Sequence, residues 1–246
     1  MTEQDRARQD AQAAFLLHSY PYRETSLVVE TFTRHHGRVA MVARGARRPR
    51  AALRGVLLSF QPLTLGWSGR SELRTLHKAE WQGGLPQLKG EALLCGFYLN
   101  ELLLKLLARD DPHEQLFNAY EQALHTLAGG APLAVTLRRF EQQLLRELGY
   151  ALTLDREALG GTPVTADADY VYLVESGPVR VTAGGDGARQ NRLELRGQTL
   201  LDMARDDYAD PVTLQQSKAL MRMLINHYLG NQMLNTRQLL KDLQQL

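Results

Sequence analysis

Seven arginines and no acidic residue occupy the span from Arg34 to Arg54: Arg34, Arg38, Arg44, Arg47, Arg48, Arg50 and Arg54. A guanidinium is planar, permanently charged and presents a donor fork that matches phosphate oxygens. A polyanion is therefore the ligand class this run suits best. Each phosphate of a single strand neutralised in this way adds about −0.7 to the slope of log K against log[salt]. Interleaved aromatics would stack on bases, and Tyr20, Tyr22, Phe32, Phe60 and Trp67 fall in the same region. Phe32, Phe60 and Trp67 suit a barrel core, whereas Tyr20 and Tyr22 flank a proline and are the better stacking candidates. The competing reading is a solvated basic face, or one that meets an anionic protein.

Other chemistry is sparse. Adjacent His35 and His36 would point to different sides and rarely chelate together, so with His18 they read as polar surface rather than as metal ligands. Arg138, Arg139 and Arg146 lie on a predicted helix, with Arg138 near Leu145 at the edge of its apolar stripe. Basic residues beside an apolar groove could capture an acidic, hydrophobic peptide tail, although from the residues alone snorkelling arginines on an amphipathic helix are the better explanation. Lys218, Arg222, Arg237 and Lys241 could extend an anion track or simply face solvent. Gly184-Gly185-Asp186-Gly187 lacks the Gly-Lys-Ser/Thr of a phosphate loop, and neither Gly-x-Ser-x-Gly nor His-Glu-x-x-His occurs. An enzyme would need a site assembled within the irregular 150–197 stretch.

The elements that must position these groups fall into two regimes. Short β-type runs punctuated by turns extend from Ala13 to Ala79: Ala13–Ser19, Ser26–Thr33, Arg38–Arg44, Pro62–Trp67 and Leu73–Ala79. Tyr20-Pro21-Tyr22, His35-His36-Gly37, the arginine loop and Ser68-Gly69-Arg70 separate them. Five strands with a long connection after the third predict an OB-type barrel, with an SH3-like barrel as the rival. Residues 1–12 read as an unpaired extension. Helical periodicity begins at Glu91, and Glu91–Leu107 is apolar on nearly every side, as a central helix is. The next helix is expected to start with Asp111 as N-cap and Pro112 at N1. A third runs from about Pro132 to Leu148. A hairpin is expected around Ser176-Gly177-Pro178, a strand near Arg192–Arg196, and a helix over Gln198–Arg205. A Thr213/Gln216 capping box precedes Leu214–Leu229, and Asn235–Leu246 reads as a last short helix. The expected division is 1–82 as barrel and 83–246 as helical domain, with an irregular β-containing insertion at about 150–197.

The overall charge of +2 hides an asymmetry, because residues 1–80 carry +6 and residues 81–246 carry −4. The positive field belongs to the N-terminal third. Cys95 is the only cysteine, which excludes an internal disulfide and any multi-cysteine zinc site. The polar start has no apolar h-region behind it, and no apolar run approaches the roughly 20 residues of a membrane span. The expectation is a soluble, cytoplasmic protein.

The chain resembles the bacterial recombination mediator family RecO. The resemblance rests on Ala14 to Leu27, Thr31-Phe32-Thr33, Gly37-Arg38-Val39 and Val42-Ala43-Arg44-Gly45-Ala46-Arg47. It continues through Tyr98-Leu99-Asn100-Glu101-Leu102-Leu103, Leu137-Arg138-Arg139-Phe140-Glu141, Leu148-Gly149-Tyr150 and Thr236-Arg237-Gln238-Leu239-Leu240. It implies an N-terminal OB-fold and a helical domain with a zinc-finger-like insertion. It also implies binding and annealing of single- and double-stranded DNA, with no bond-breaking chemistry and no cofactor. The implied partners are RecR and the acidic tail of single-stranded DNA-binding protein, so that RecA is loaded on coated strands in the nucleoid. On that reading Arg34, Arg38, Arg44, Arg47, Arg48, Arg50, Arg54 and Tyr22 contact DNA, and Arg138, Arg139 and Leu145 receive the tail. Some members carry four cysteines after Leu-Gly-Tyr. Residues 150–197 here contain none, so the insertion is expected to fold without zinc. An OB module that binds RNA is the alternative, separable by the 2′-OH.

Overall fold

Runs of β-branched and aromatic residues separated by glycine turns build the first third of the chain. The computed structural model describes residues 8–182, 193–230, 232–236 and 238. Five strands, β1 (Gln9–Tyr22), β2 (Ser26–Thr33), β3 (Gly37–Ala43), β4 (Pro62–Ser68) and β5 (Leu73–Trp81), close a barrel in the order β1-β2-β3-β5-β4. All pairs are antiparallel except β3 with β5, where Ala40 faces Leu73 and Val42 faces Thr75. That order is the OB arrangement, and it decides against the SH3-like rival. A parallel pair needs a long crossover. Here it is the segment holding the five-residue α1 (Ala52–Val56) and then β4.

β1 is longer than its apolar pattern. Gln9 to Gln12 belong to the strand rather than to an extension, and Tyr20-Pro21-Tyr22 continues it, paired with Val28, Leu27 and Ser26. The strand closes the barrel by pairing with β4 through its first half and with β2 through its second. Register shifts at Gln9/Gln12 and Leu16/His18 bend it, as bulges do at barrel rims. Ala14, Leu16, Val29, Val39, Met41, Leu63, Leu65 and Trp67 fill the interior.

The outer face of β1 and β2 is buried as well. Two helices follow the barrel, α2 (Gly90–Leu106) and α3 (Glu114–Ala128). Phe15 and Phe32 pack against Phe117 and Tyr120 with ring centroids 5.2–6.2 Å apart. Each such pair adds about 0.5–1.5 kcal/mol beyond its area. Asn100 Nδ2 donates to the Leu17 carbonyl at 2.9 Å, and Tyr120 Oη donates to Asn100 Oδ1. Burial on both faces explains why β2 shows six consecutive buried residues instead of alternation.

α3 begins at Glu114 behind an N-cap position occupied by His113, so Asp111 does not cap it. The preceding stretch is held against the barrel instead. Asp110 N donates to the Arg38 carbonyl at 3.0 Å, and the Asp110 carboxylate meets Arg74 at 2.6 Å. Gly37, at φ +62°, lies so close that a Cβ there would sit 1.9 Å from the Asp111 carbonyl oxygen. Gly37→Ala is therefore expected to cost about 2–3 kcal/mol through clash and positive φ together. Denaturant unfolding checks this, with a change in midpoint at constant m.

Glu101 on α2 gathers a separate segment. Its carboxylate accepts from Asn235 N (2.8 Å), Thr236 N (2.9 Å) and Thr236 Oγ1 (2.7 Å), and pairs with Lys105 Nζ at 3.0 Å. Burial alone would raise its pKa. The donors from Thr236, Asn235 and Lys105 together outweigh burial and hold it below the ordinary carboxylate value. A depressed folded pKa means this contribution is full at neutral pH and fades as pH falls below about 4.5. Glu101→Gln should lower stability at pH 7 and flatten its acid dependence, as read by unfolding midpoints across pH.

The described residues divide into two compact units, one from 1–131 and 234–246 and the other from 132–233. The second contains α4 (Leu133–Glu147), a sheet of β6 (Asp169–Leu173), β7 (Gly177–Arg180) and β8 (Glu194–Arg196) in the order β7-β6-β8, then α5 (Gly197–Ala204) and α6 (Pro211–Leu229). Leu145, Tyr170, Tyr172, Leu195, Leu200, Met203, Leu220 and Leu224 form its core. α6 starts two residues before the expected capping box. Asp210 caps it by accepting from Val212 N at 2.9 Å, with Pro211 at the first position. Thr213 Oγ1 donates to Asp202, and Gln216 accepts from Arg196 N and Thr199 Oγ1, so both side chains tie α6 to its neighbours. The Gly184–Gly187 loop, Arg192 and most of the expected last helix lie outside the described residues.

Candidate nucleic-acid interface

The arginine run divides by direction. Arg34 and Arg38, on either side of the β2–β3 turn, engage the helices behind the barrel. The Arg34 guanidinium donates to Asn118 Oδ1, lies 3.5 Å from Glu121 and stacks 4.7 Å from the Phe117 ring centroid. Arg38 donates to the Leu104 carbonyl and sits 3.7 Å from Glu30, whose other oxygen Arg109 holds. Burial pulls the Arg38 guanidinium below its ordinary value; Glu30 opposes this and Arg109 adds to it. The hairpin is thus not a uniformly outward basic platform, because these two side chains bind the α2 and α3 region.

Arg44, Arg47, Arg48, Arg50 and Arg54 are exposed. Their loop is fixed from beneath: Ala46 is buried with the barrel interior, and Leu53, Val56 and Leu57 pack against the same core. Gly45 adopts φ +69°, Arg47 N donates to the Thr25 carbonyl at 2.9 Å, and Arg48 N donates to the Gly45 carbonyl at 3.0 Å. Arg47 Nη1 reaches the Arg23 and Glu24 carbonyls at 3.4 and 3.3 Å. These hydrogen bonds join the arginine loop to the β1–β2 turn, and so bring in exposed Arg23, which lies outside the run and carried no sequence signal. Among the described residues no carboxylate is within ion-pair reach of the five arginines. A rigid loop with unneutralised guanidiniums retains its full attraction for phosphates.

Phe32, Phe60 and Trp67 are buried, as expected of barrel core. Tyr20 is 42% exposed, while Tyr22 is half-buried with the Arg23 guanidinium 5.3 Å from its ring. The most exposed large ring of the barrel is Trp81 at 58%, whose indole N–H donates to Gln61 Oε1 at 3.0 Å. Its place at the polar end of β5 gave no sequence signal for stacking. His35 pairs with Glu114 and the His36 ring stands edge-on to Trp67. No metal-holding cluster occurs among the described residues, and no helix there is long and apolar enough to cross a membrane.

On α4 the two adjacent arginines differ. Arg139 is exposed and bonds Asp206 at 2.9 Å. Arg138 is buried, its Nη2 2.7 Å from Glu141 Oε1, and Leu145 is fully buried in the second core. Nearby, a cavity of about 270 Å³ is lined by Gln142, Arg146, Leu152, Leu154, Asp155 and Met203, among others. Lys218 and Arg222 are exposed on α6. Arg237 and Lys241 lie outside the described residues.

Comparison with known proteins matches two family models end to end. One, described as recombination protein O N terminal, covers residues 9–84; the other, recombination protein O C terminal, covers 87–238. The chain is 57% identical over 242 residues to a protein of Nitrosospira multiformis named DNA repair protein RecO, covering 98% of this chain and 99% of that one. Proteins of the same name from Aromatoleum aromaticum (57% over 239 residues, 97% and 98% covered) and Dechloromonas aromatica (53% over 244 residues, 98% and 99% covered) are similar throughout.

Proposed function

The chain belongs to the RecO family of DNA repair and recombination proteins, and from that premise we propose that it is a recombination mediator that acts on DNA chiefly by electrostatics. Support comes chiefly from the five outward arginines Arg44, Arg47, Arg48, Arg50 and Arg54 on one buttressed loop without acidic partners. They would hold the backbones of two strands at once, and Tyr22 beside Arg23 would add ring contact at the neighbouring turn. Neutralising both backbones relieves the repulsion that slows pairing, so complementary strands anneal. Arg34 and Arg38 fix the hairpin from which the loop leaves and contribute field rather than direct contact.

In this proposal the α4 region tethers the protein to coated strands. Arg139 and Arg146 supply charge for an acidic tail of single-stranded DNA-binding protein, and the neighbouring cavity takes the tail's apolar end. Arg138 and Leu145 set the helix surface from beneath. With RecR as partner, the protein would expose the strand for RecA within the cytoplasmic nucleoid. Annealing of a fluorophore–quencher pair of complementary oligonucleotides tests this reading. Acceleration is expected on bare strands and on strands coated with single-stranded DNA-binding protein, and lost on coated strands when that protein lacks its tail. No acceleration on bare strands at low salt would contradict it. Faster pairing of RNA than of matched DNA would favour an RNA-binding module instead.

A further inference from the structure

The second unit holds a cavity that DNA and tail binding leave unused. It has a volume of about 180 Å³ and is lined by Tyr150, Tyr172 and Tyr228, by Leu152 and Leu224, and by Glu175 at the β6–β7 turn. One water needs only roughly 10–15 Å³. Tyr150 and Tyr228 stack with centroids 3.9 Å apart and planes at 16°, and Tyr150 remains 42% exposed. Tyr172 is buried. Burial, helped by Tyr228 and opposed by the Thr153 N–H, pushes its phenol up to about 12, so the ring stays neutral.

The walls are fixed in advance. Tyr150 N donates to the Leu145 carbonyl at 2.8 Å at the end of α4. The turn closes with Ser176 N donating to the Leu173 carbonyl at 3.2 Å. It packs so tightly on the opposite wall that a Cβ on Gly177 would lie 3.2 Å from the Thr153 side chain. Glu175 itself is held at φ +63°, an uncommon conformation for a residue with a side chain.

The electrostatics select the occupant. Among the lining residues Glu175 is the only acidic or basic side chain, and the tyrosine rings carry negative π faces, although Tyr150 and Tyr228 turn one face each toward the other. His227 lies 3.8 Å from Glu175 and edge-on to Tyr228. A phosphate would be repelled by the Glu175 carboxylate, and a neutral ring would gain nothing from it. A cation is attracted by both the rings and the carboxylate, while Leu152 and Leu224 suit the methylenes that carry it.

We propose that this cavity receives the cationic end of an arginine or lysine side chain presented by a protein partner. The site shares Leu152 with the cavity proposed for the tail but none of the arginines assigned to DNA or to the tail, so its test does not depend on those assignments.

The test uses the full chain with ¹³C-labelled tyrosine rings, titrated with acetyl-arginine amide and with its neutral isostere acetyl-citrulline amide. Saturable shifts of Tyr150 and Tyr228 with the arginine compound are expected, with binding roughly tenfold weaker for citrulline. Glu175→Gln, at an exposed turn that leaves the fold intact, should weaken the arginine compound several-fold and leave citrulline unchanged. Tyr150→Ala should remove most binding of both. Equal affinity for the two compounds, or no shift with either, would overturn the assignment. An acetyl-Gly-Arg-Gly amide that binds at least as well as the single residue supports a chain-borne cation. Exclusion of that peptide while the single residue binds would overturn the protein-partner assignment in favour of a small amine.

Discussion

Arg138→Ala is expected to destabilise the second unit by about 3–5 kcal/mol, because it removes the guanidinium that the buried Glu141 carboxylate is paired with. The two side chains are 9% and 1% exposed and meet at 2.7 Å. Arg138 Nε has no hydrogen-bond partner of its own, so the pair is an expensive one to keep. Replacing both members with apolar residues of similar size, Arg138→Met with Glu141→Leu, should recover most of that loss. This double variant separates structure from recognition. If Arg138 helps to receive an acidic tail, the restored double variant will still bind a tail peptide several-fold more weakly than wild type, and Arg139→Ala will do the same with almost no change in stability. Undiminished tail binding by a stable double variant would make Arg138 a purely internal residue. Thermal unfolding and fluorescence anisotropy of a labelled tail peptide give the two readouts.

The barrel was legible because its information is local. Runs of β-branched and aromatic residues in β2 to β5 and glycine turns such as Gly37 mark strands without reference to anything distant. What the pattern concealed came from long-range packing. Arg34 and Arg38 read as members of a basic run, yet their partners, Asn118, Glu121 and Leu104, lie 66 to 87 residues away. No local signal shows that α2 and α3 cover that side of the barrel. Both failed caps have the same origin. Asp110, next to the expected cap Asp111, is held by Arg38 and Arg74, and Thr213 by Asp202, so tertiary bonds fixed each stretch in a role its neighbours did not suggest. At the candidate site, the exposed arginines Arg44 to Arg54 were readable because charge without nearby acids stays charge wherever the loop goes. The burial of Arg138 was not, since α4 places Glu141 one turn on, and only the packing around them decides whether such a pair faces solvent.

Charge reversal at Arg47, Arg48 and Arg50 to glutamate is the other large expected effect. All three are exposed on the loop between β3 and α1. Stability should change little, as for most exposed substitutions, although Arg47 also donates to two carbonyls of the β1–β2 turn. Affinity for a single strand should fall by roughly three orders of magnitude, since each of the three hydrogen bonds between a guanidinium and a phosphate is worth about 1.5 kcal/mol. Annealing should fall with it. Tail-peptide binding should not, because Arg139 and Arg146 are untouched.

Binding of a fluorescent single-stranded oligonucleotide across a salt series, wild type beside the triple reversal, tests the central claim most directly. Three phosphate ion pairs at about 0.7 each predict that the slope of log K against log[salt] becomes shallower by about 2 in the variant. A folded variant with the wild-type slope and affinity would contradict the account and move the DNA to another surface.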